Sequence, residues 1–253
     1  MALRQRMAGR VCLVTGGGSG IGLATALQLA SEGADAVVIA GRRPEEGEAA
    51  AEACRQRGAR SAFIRTDVTV EDDIRGLVEA TLDRFSVLDV VFNNAAFQEK
   101  RAPLEEQDSQ TYAQVFDTNV RSVFLCLKYQ LPVMAGRPGA SVVINASVSG
   151  IRNPNPGFAL YAASKAAVIS MTRSAAMEWA PKGVRINGFA PGRVLTEMMR
   201  GSGVDLDTVA ANLPLRRMGT PEEAAEAVVW LSSDEASYVV GHILAADGGF
   251  LSA

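Results

Sequence analysis

Tyr161-Ala162-Ala163-Ser164-Lys165 sets a phenol and an ammonium four residues apart. They fall in a run, Leu160 to Trp179, whose apolar spacing is helical, so both project from one face. A phenol with an ordinary pKa near ~10 is a poor base at neutral pH, but a cation beside it favours the phenolate. Each pH unit of lowering corresponds to about 1.4 kcal/mol, so two close positive charges could lower it by roughly 2 to 3 pH units. The pair could then give a proton to, or take one from, an oxygen on a second molecule. An ordinary amphipathic helix face would show the same spacing, so the setting decides. Ser147 ends the apolar run Ser141 to Ser147, where its hydroxyl could hold a reacting oxygen; a loop cap is the plainer alternative, as it is for Ser149. Asn119 falls inside the predicted helix Ser109 to Met134, an awkward place for a residue that prefers caps and turns. Local exceptions of this kind can mark functional sites.

A second group of residues could hold an anion. After the β-rich run Val11 to Thr15 come Gly16-Gly17-Gly18-Ser19-Gly20-Ile21-Gly22, and then a helical pattern begins. Unpaired amides and the helix dipole at such a junction point at a phosphate. Gly16, Gly18 and Gly20, with Ser19 and Ile21, would let the backbone approach a pyrophosphate, and Gly22 would let the helix lie against the strand. The spacing is Gly-x-x-x-Gly-x-Gly and not the common Gly-x-Gly-x-x-Gly. The second strand ends Ile39-Ala40-Gly41-Arg42-Arg43, where a carboxylate would grip the ribose of NAD. That acid is absent and two guanidinium groups stand close by, which favours NADP(H), with NAD(H) possible. The alternative is a solvated loop in which Arg42 and Arg43 are balanced by Glu45 and Glu46.

Seven short apolar runs must position these groups: Val11 to Thr15, Ala36 to Ala40, Ser61 to Thr66, Leu88 to Asn93, Ser141 to Ser147, Val184 to Ala190 and His242 to Asp247. Helical patterns stand between them at Ile21 to Ser31, Glu45 to Gln56, Glu71 to Phe85, Ser109 to Met134, Leu160 to Trp179 and Pro221 to Leu231. Strands apolar on both faces, alternating with helices, predict a Rossmann-like α/β fold: a doubly wound, seven-stranded parallel sheet with helices on both faces. No linker or repeat divides the chain, so residues 1–253 are expected to form a single domain. Arg152 to Gly157 and Gly192 to Pro214 read as loops or lids, the latter as the substrate loop.

Composition excludes several functions. The formal charge of -3 leaves no basic surplus for a nucleic acid. Cys12, Cys54 and Cys126 are odd in number and widely spaced, which suggests neither a disulfide framework nor a metal site and fits a reducing cytoplasm. The start, MALRQRMAGR, is basic but lacks the apolar core of a signal peptide, and no run reaches membrane-spanning length.

Taken in order, Thr15 to Gly22, Asp67-Val68, Asn93-Asn94-Ala95-Ala96, Asn119, Ser147, Tyr161 to Lys165, Pro191-Gly192 with Thr196, and Asp247-Gly248-Gly249 resemble the short-chain dehydrogenase/reductase family in its single-domain form. The resemblance covers essentially the whole chain. It implies an NAD(P)-dependent oxidoreductase that moves a hydride between nicotinamide and a carbonyl or secondary alcohol, with Asn119, Ser147, Tyr161 and Lys165 as a catalytic tetrad. Tyr161 would exchange the proton, Ser147 steady the oxygen, Lys165 bind the ribose and lower the phenol pKa, and Asn119 hold a water. Asp67 and Val68 would touch the adenine, Asn93 would support the central strand and cofactor, and Thr196 would reach the carboxamide; Ala95, Pro191, Gly192 and Val194 complete the cofactor set.

Two departures stand out: Ala96 replaces the family's usual glycine, and Ser19 stands where many NADP-preferring relatives carry a basic residue. Substrate walls are expected from Phe97 and Gln98, from Ser149 to Asn155 including Arg152 and Asn153, and from Arg193 to Arg200 including Met198 and Met199. Arg152 and Arg193 could meet an acidic substrate, while Phe97 and the methionines suggest an apolar one. The substrate is expected to be a ketone or 3-oxoacyl group, with a sugar or secondary alcohol as the alternative; a non-catalytic cofactor sensor would not need an intact tetrad. His242 is expected to be structural. The small-residue face at Ala162, Ala166 and Ile169 could pack on another subunit, since family members are usually tetramers or dimers; core packing within one subunit explains that face equally well.

Overall fold

The computed structural model describes residues 5–153 and 156–253. Met1 to Arg4, part of the basic start, and Pro154 and Asn155, part of the expected substrate wall, lie outside the described residues. Seven strands, β1 (Val11–Thr15), β2 (Ala36–Gly41), β3 (Arg60–Arg65), β4 (Val90–Asn93), β5 (Ser141–Asn145), β6 (Arg185–Pro191) and β7 (Ile243–Ala246), form one sheet in the order β3-β2-β1-β4-β5-β6-β7. All pairings are parallel. The strand order reverses between β1 and β4, and at such a point the chain leaves in opposite directions and opens a crevice beyond the strand ends.

Among the described residues nine α-helices connect and follow these strands: α1 (Gly20–Ser31), α2 (Pro44–Arg55), α3 (Glu71–Phe85), α4 (Ser109–Phe116), α5 (Ser122–Met134), α6 (Ala159–Trp179), α7 (Glu197–Arg200), α8 (Leu206–Ala211) and α9 (Pro221–Ser232). Alternate residues of each strand feed opposite faces. Cys12, Val14, Val37, Ile39 and Phe92 pack with α1, α2 and α9, whereas Leu13, Val38, Val91, Val142 and Ile144 pack with α3, α5 and α6. Burial on both sides explains why these strands lack the polar alternation of a half-exposed sheet.

Helix ends follow local chemistry. At α9 the Thr220 hydroxyl accepts from Glu223 N while the Glu223 carboxylate accepts from Thr220 N, with Pro221 in the first turn. Two boundaries differ instructively from the expected ones. β5 stops at Asn145, because Ala146 N turns to the Phe189 carbonyl and Ser147 caps a 3-10 turn, Val148–Gly150. The single helix expected over Ser109 to Met134 is broken by a π-helical turn, Asp117–Arg121, that contains Asn119. Such one-turn insertions are frequent at functional sites. The expected loop from Gly192 to Pro214 carries the short helices α7 and α8.

The three cysteines are buried and unpaired, and burial raises all three thiol pKa values. Ile169 packs in the core of its own chain, the second of the two readings of its face, whereas Ala166 on the same helix is exposed. His242 contributes main-chain bonds to Asn187 and Gly188. Among the described residues no helix is long and apolar enough to cross a membrane.

Candidate active site

The crevice between β1 and β4 is held open by a small polar lattice. Thr15 Oγ1 accepts from the amides of Asn94 and Ala95 at 2.9 and 3.1 Å. Asn94 Nδ2 donates back to the carbonyls of Thr15 and Gly16, and Asn145 Nδ2 donates to Asn94 Oδ1 at 3.0 Å. The ends of β1, β4 and β5 are thus laced together beneath the glycine turn. Gly16 and Gly20 have φ of 65° and 53°, a region that side chains disfavour. A methyl on Gly22 would run into the Gly16 carbonyl and lie 2.6 Å from Asn94 Nδ2, so this glycine serves the close packing of α1 as expected. No side chain caps the start of α1, which leaves its first-turn amides for an anion.

A cleft of about 400 Å³ runs from this turn to Tyr161. Gly16, Gly18, Ser19, Gly20 and Ile21 line it, as do Arg42, Arg43, Asp67 and Val68 at one end. Ala95, Ala96, Pro191, Gly192, Val194 and Thr196 border its middle. Gly192 is required because a methyl there would meet Asp247 Cα at 2.5 Å. At the far end stand Ser147, Ser149, Tyr161 and Arg193, with Gln98, Asn153 and Met198.

At the end lined by the two arginines Arg43 is engaged: it meets Glu46 at 2.9 Å and donates to Ser19 Oγ at 2.9 Å. Arg42 makes no ion pair among the described residues and acts on Asp67 through its field. Burial would raise the Asp67 pKa, but the Thr69 amide and hydroxyl, with Arg42 and Arg65, bring it below the ordinary value. Asp67 Oδ1 accepts both Thr69 bonds, which fixes the carboxylate.

The four expected catalytic residues come from three elements: the π turn, the 3-10 turn after β5, and α6. Ser147 caps its 3-10 turn, accepting from Ser149 N at 3.1 Å. Tyr161 and Lys165 lie on α6, which approaches that turn closely because Gly150 has no side chain: a methyl there would stand 2.6 Å from the Lys165 carbonyl carbon. Lys165 is buried, and Nζ donates to the main-chain carbonyl of Asn145 at 2.6 Å. Asn119 is buried, with its side chain fully used. Oδ1 accepts from Phe97 N, and Nδ2 donates to Phe97 O and Ser164 Oγ, at 2.8, 2.8 and 2.9 Å.

Several expectations need correction. Asn93 does not face the cleft; it is buried in β4 in a reciprocal pair with Gln130, so it supports the strand but not a ligand. Phe97 does not border the cleft either, because Asn119 holds its backbone in the connecting loop. Arg152 turns to the last residues, donating to Phe250 O and to the main-chain oxygen of Ala253. Lys165 reaches the site from below, through Asn145, without lining it.

The expected lowering of the phenol pKa is also absent from the protein alone. Burial raises the pKa of Tyr161, with Glu99 adding to the effect and Ser147 and Arg193 opposing it. Burial likewise lowers Lys165 to about 7, so near neutrality its positive field is partly lost.

Sequence reasoning missed Asn145 and Glu99. Glu99 is buried and its Oε1 accepts from Tyr161 N at 3.0 Å, in the first turn of α6. Nothing in a lone loop acid signals this role. Asn145 could have been suspected from its place at the strand end two residues before Ser147.

The residues present fit a dinucleotide. Glycine backbone and a bare helix start face the cleft, guanidinium groups stand at one end, and the buried Oδ1 of Asn145 lacks a partner among the described residues. A parallel sheet with a strand-turn-helix anion cradle at its switch point, joined to a serine, a tyrosine and a lysine, defines a nucleotide-dependent oxidoreductase class. A family model described as enoyl-(acyl carrier protein) reductase matches residues 16–251. Cis-4-hydroxycyclohexanecarboxylate dehydrogenase from Sinomonas cyclohexanicum is 41% identical over 248 residues, covering 97% of this chain and 98% of the relative. A 3-oxoacyl-(acyl-carrier-protein) reductase from Thermotoga maritima is 38% identical over 250 residues, covering 98% and 100%. The solved structure of a levodione reductase superposes with a TM-score of 0.93 at 36% identity, covering 98% of this chain and 99% of that one. The chain belongs to the short-chain dehydrogenase/reductase family. It is an NAD(P)-dependent enzyme that interconverts carbonyl and alcohol groups.

Proposed function

We propose that this enzyme reduces a small ketone, or oxidises the matching secondary alcohol, with Tyr161 as the proton-transfer residue. The observation that carries the reading is the convergence of Ser147, Tyr161 and the Lys165–Asn145 pair at one end of a cleft whose other parts are a phosphate cradle and an arginine pair. In reduction the Tyr161 hydroxyl protonates the forming alkoxide, and Ser147 Oγ–H donates to the same oxygen as its charge grows. In oxidation Tyr161 accepts the proton instead. When bound, the nicotinamide supplies or accepts the hydride.

Lys165 stands beneath the cleft on the Asn145 carbonyl, from which its ammonium would turn to hold the ribose. Engagement of Lys165 by sugar hydroxyls and the positive charge of an oxidised nicotinamide would both favour the phenolate, offsetting the burial that raises the Tyr161 pKa in the protein alone. Asn119 acts as a positioning residue. Its amide is committed to Phe97 and Ser164, so a water in the proton relay would rest on its main-chain carbonyl within the π turn.

NADP(H) is the preferred cofactor in this reading. Gly41 ends β2 where an acid would select NAD, and Arg42 is the guanidinium left to meet a 2′-phosphate, Arg43 being engaged by Glu46 and Ser19. The dinucleotide then contacts the glycine turn, Asp67, Val68, Ala95, Pro191, Gly192, Val194 and Thr196. The segment from Gly192 to Pro214 acts as the substrate loop, anchored where Leu195 N and Gly219 N bond across to Gly219 O and Arg193 O.

Small ring ketones are favoured as substrates because the cyclohexane-carboxylate enzyme is so similar over its whole length. A 3-oxoacyl thioester is the second reading, supported by the Thermotoga relative. The protein works in the cytoplasm, where buried unpaired cysteines persist, and as a tetramer or dimer through the exposed side of α5 and α6, where Phe124 and Met177 lie open. Following cofactor absorbance with a panel of ketones and alcohols and both nicotinamides tests the reading. Turnover of ketones that vanishes in Tyr161→Phe is expected, and undiminished turnover in that variant would overturn it.

A further inference from the structure

Resting on the assignment of Tyr161 above, we propose that Arg193 is an anion-recognition residue, which makes the enzyme selective for compact ketones or alcohols that carry a carboxylate. The backbone on either side of Arg193 is fixed. Gly192 is packed on Asp247, the Arg193 carbonyl accepts from Gly219 N at 2.9 Å, and Val194 bridges to Gly219. The side chain is therefore aimed by the fold. Its guanidinium carbon lies 5.6 Å from the centroid of the Phe250 ring, which also receives Arg152 at 5.9 Å. The turn at Gly248 and Gly249, with φ of 63° and 89°, brings that ring into place.

The two arginines are not equivalent. Arg152 spends its donors on the main chain of Phe250 and Ala253, whereas Arg193 borders the cleft and forms no ion pair or hydrogen bond among the described residues. Burial lowers its pKa and the nearby Tyr161 opposes this, so it is a partly desolvated cation beside the candidate proton donor. The other charged side chains lining the cleft are Arg42, Arg43, Glu46, Asp67 and Glu197, the last 3.9 Å from Arg43. Glu99 is buried under Tyr161 outside the lining. Val148, Phe158, Met198 and Met199 supply apolar wall to the same cleft. An apolar wall with one unpaired guanidinium suits an apolar body bearing one anion, since Arg pairs with carboxylate through two parallel bonds.

The test is calorimetry of the full chain with saturating NADP⁺ or NAD⁺, titrating cyclohexanecarboxylate against its neutral isostere cyclohexanecarboxamide. The carboxylate should bind roughly 10- to 100-fold more tightly, as expected for a charge-assisted pair. Arg193→Met should erase that preference, and Arg193→Lys should restore part of it. In kinetics, Arg193→Met should raise the ratio of KM for 4-oxocyclohexanecarboxylate to KM for cyclohexanone by a similar factor. Equal binding of the two isosteres by the wild type would overturn the proposal, whether or not the variants fold. So would equal loss of kcat for charged and neutral ketones in Arg193→Met, which would assign the arginine to Tyr161 itself. Carboxylate-selective binding without turnover of any ketone would support the anion site and sink the functional reading instead.

Discussion

Lys165 Nζ donates to the Asn145 carbonyl at 2.6 Å, while the Tyr161 ring centroid lies 5.6 Å from the same nitrogen. The buried amine is thus held by a strand end of the sheet and reaches the phenol only at longer range. This arrangement stores an electrostatic cost in the protein alone, because burial brings the Lys165 pKa down from 10.5 to about 7. Between those values the unfolded chain binds a proton that the folded chain has released. The contribution of this group to stability therefore rises with pH from about 7 to about 10.5, and its full cost is present below about 7.

Lys165→Met should remove that cost. At pH 7 the penalty is of the order of 4 kcal/mol, offset by the Asn145 carbonyl left without its donor, so a net gain of about 2 kcal/mol and a rise in Tm of roughly 4 to 8 °C are expected. The pH dependence of Tm between 7 and 10 should flatten, and turnover should fall by at least ~100-fold. Thermal melts across that range check both; a lower Tm at pH 7 would show that the ammonium is stabilised by more than Asn145.

Tyr161→Phe removes one oxygen from a packed phenyl ring. Turnover should drop by about 10³-fold or more, while NADPH affinity measured by fluorescence changes by less than about threefold, since the residues proposed to hold phosphate and adenine are others of the cleft lining.

Arg42 and Arg43 should separate in cofactor selection. Arg43 is already paired with Glu46, so Arg42→Ala should lower the NADP:NAD ratio of kcat/KM by roughly 10- to 100-fold, and Arg43→Ala by less. Steady-state kinetics with both cofactors decides, and an unchanged ratio in Arg42→Ala would remove this residue from phosphate recognition.

Gly150→Ala would place a methyl 2.6 Å from the Lys165 carbonyl carbon and force the Ser147 turn away from α6. A loss of about 1 to 3 kcal/mol is expected from overpacking. Separating Ser147 from Tyr161 should reduce kcat by roughly 10²-fold while leaving cofactor affinity intact. Denaturant melts and single-turnover kinetics measure the two effects separately.

The alternation of apolar strands and amphipathic helices, the glycine cradle and the Tyr161-to-Lys165 spacing were legible in the chain because each depends on neighbours within a few residues. Local periodicity and backbone freedom are written in consecutive side chains, whereas the π turn at Asn119 interrupts a stretch whose periodicity reads as one helix. The assembled sheet decided what distance in sequence conceals. Asn93 turned to Gln130, Asn145 took the Lys165 ammonium, Glu99 came under the first turn of α6, and Arg152 and Arg193 parted in role around Phe250. Which way a polar side chain faces depends on the burial of groups tens of residues away. Desolvation acts in the same way: it raised a phenol pKa that spacing alone would have lowered, because the dielectric around a charge belongs to the packed core and not to the segment that carries it.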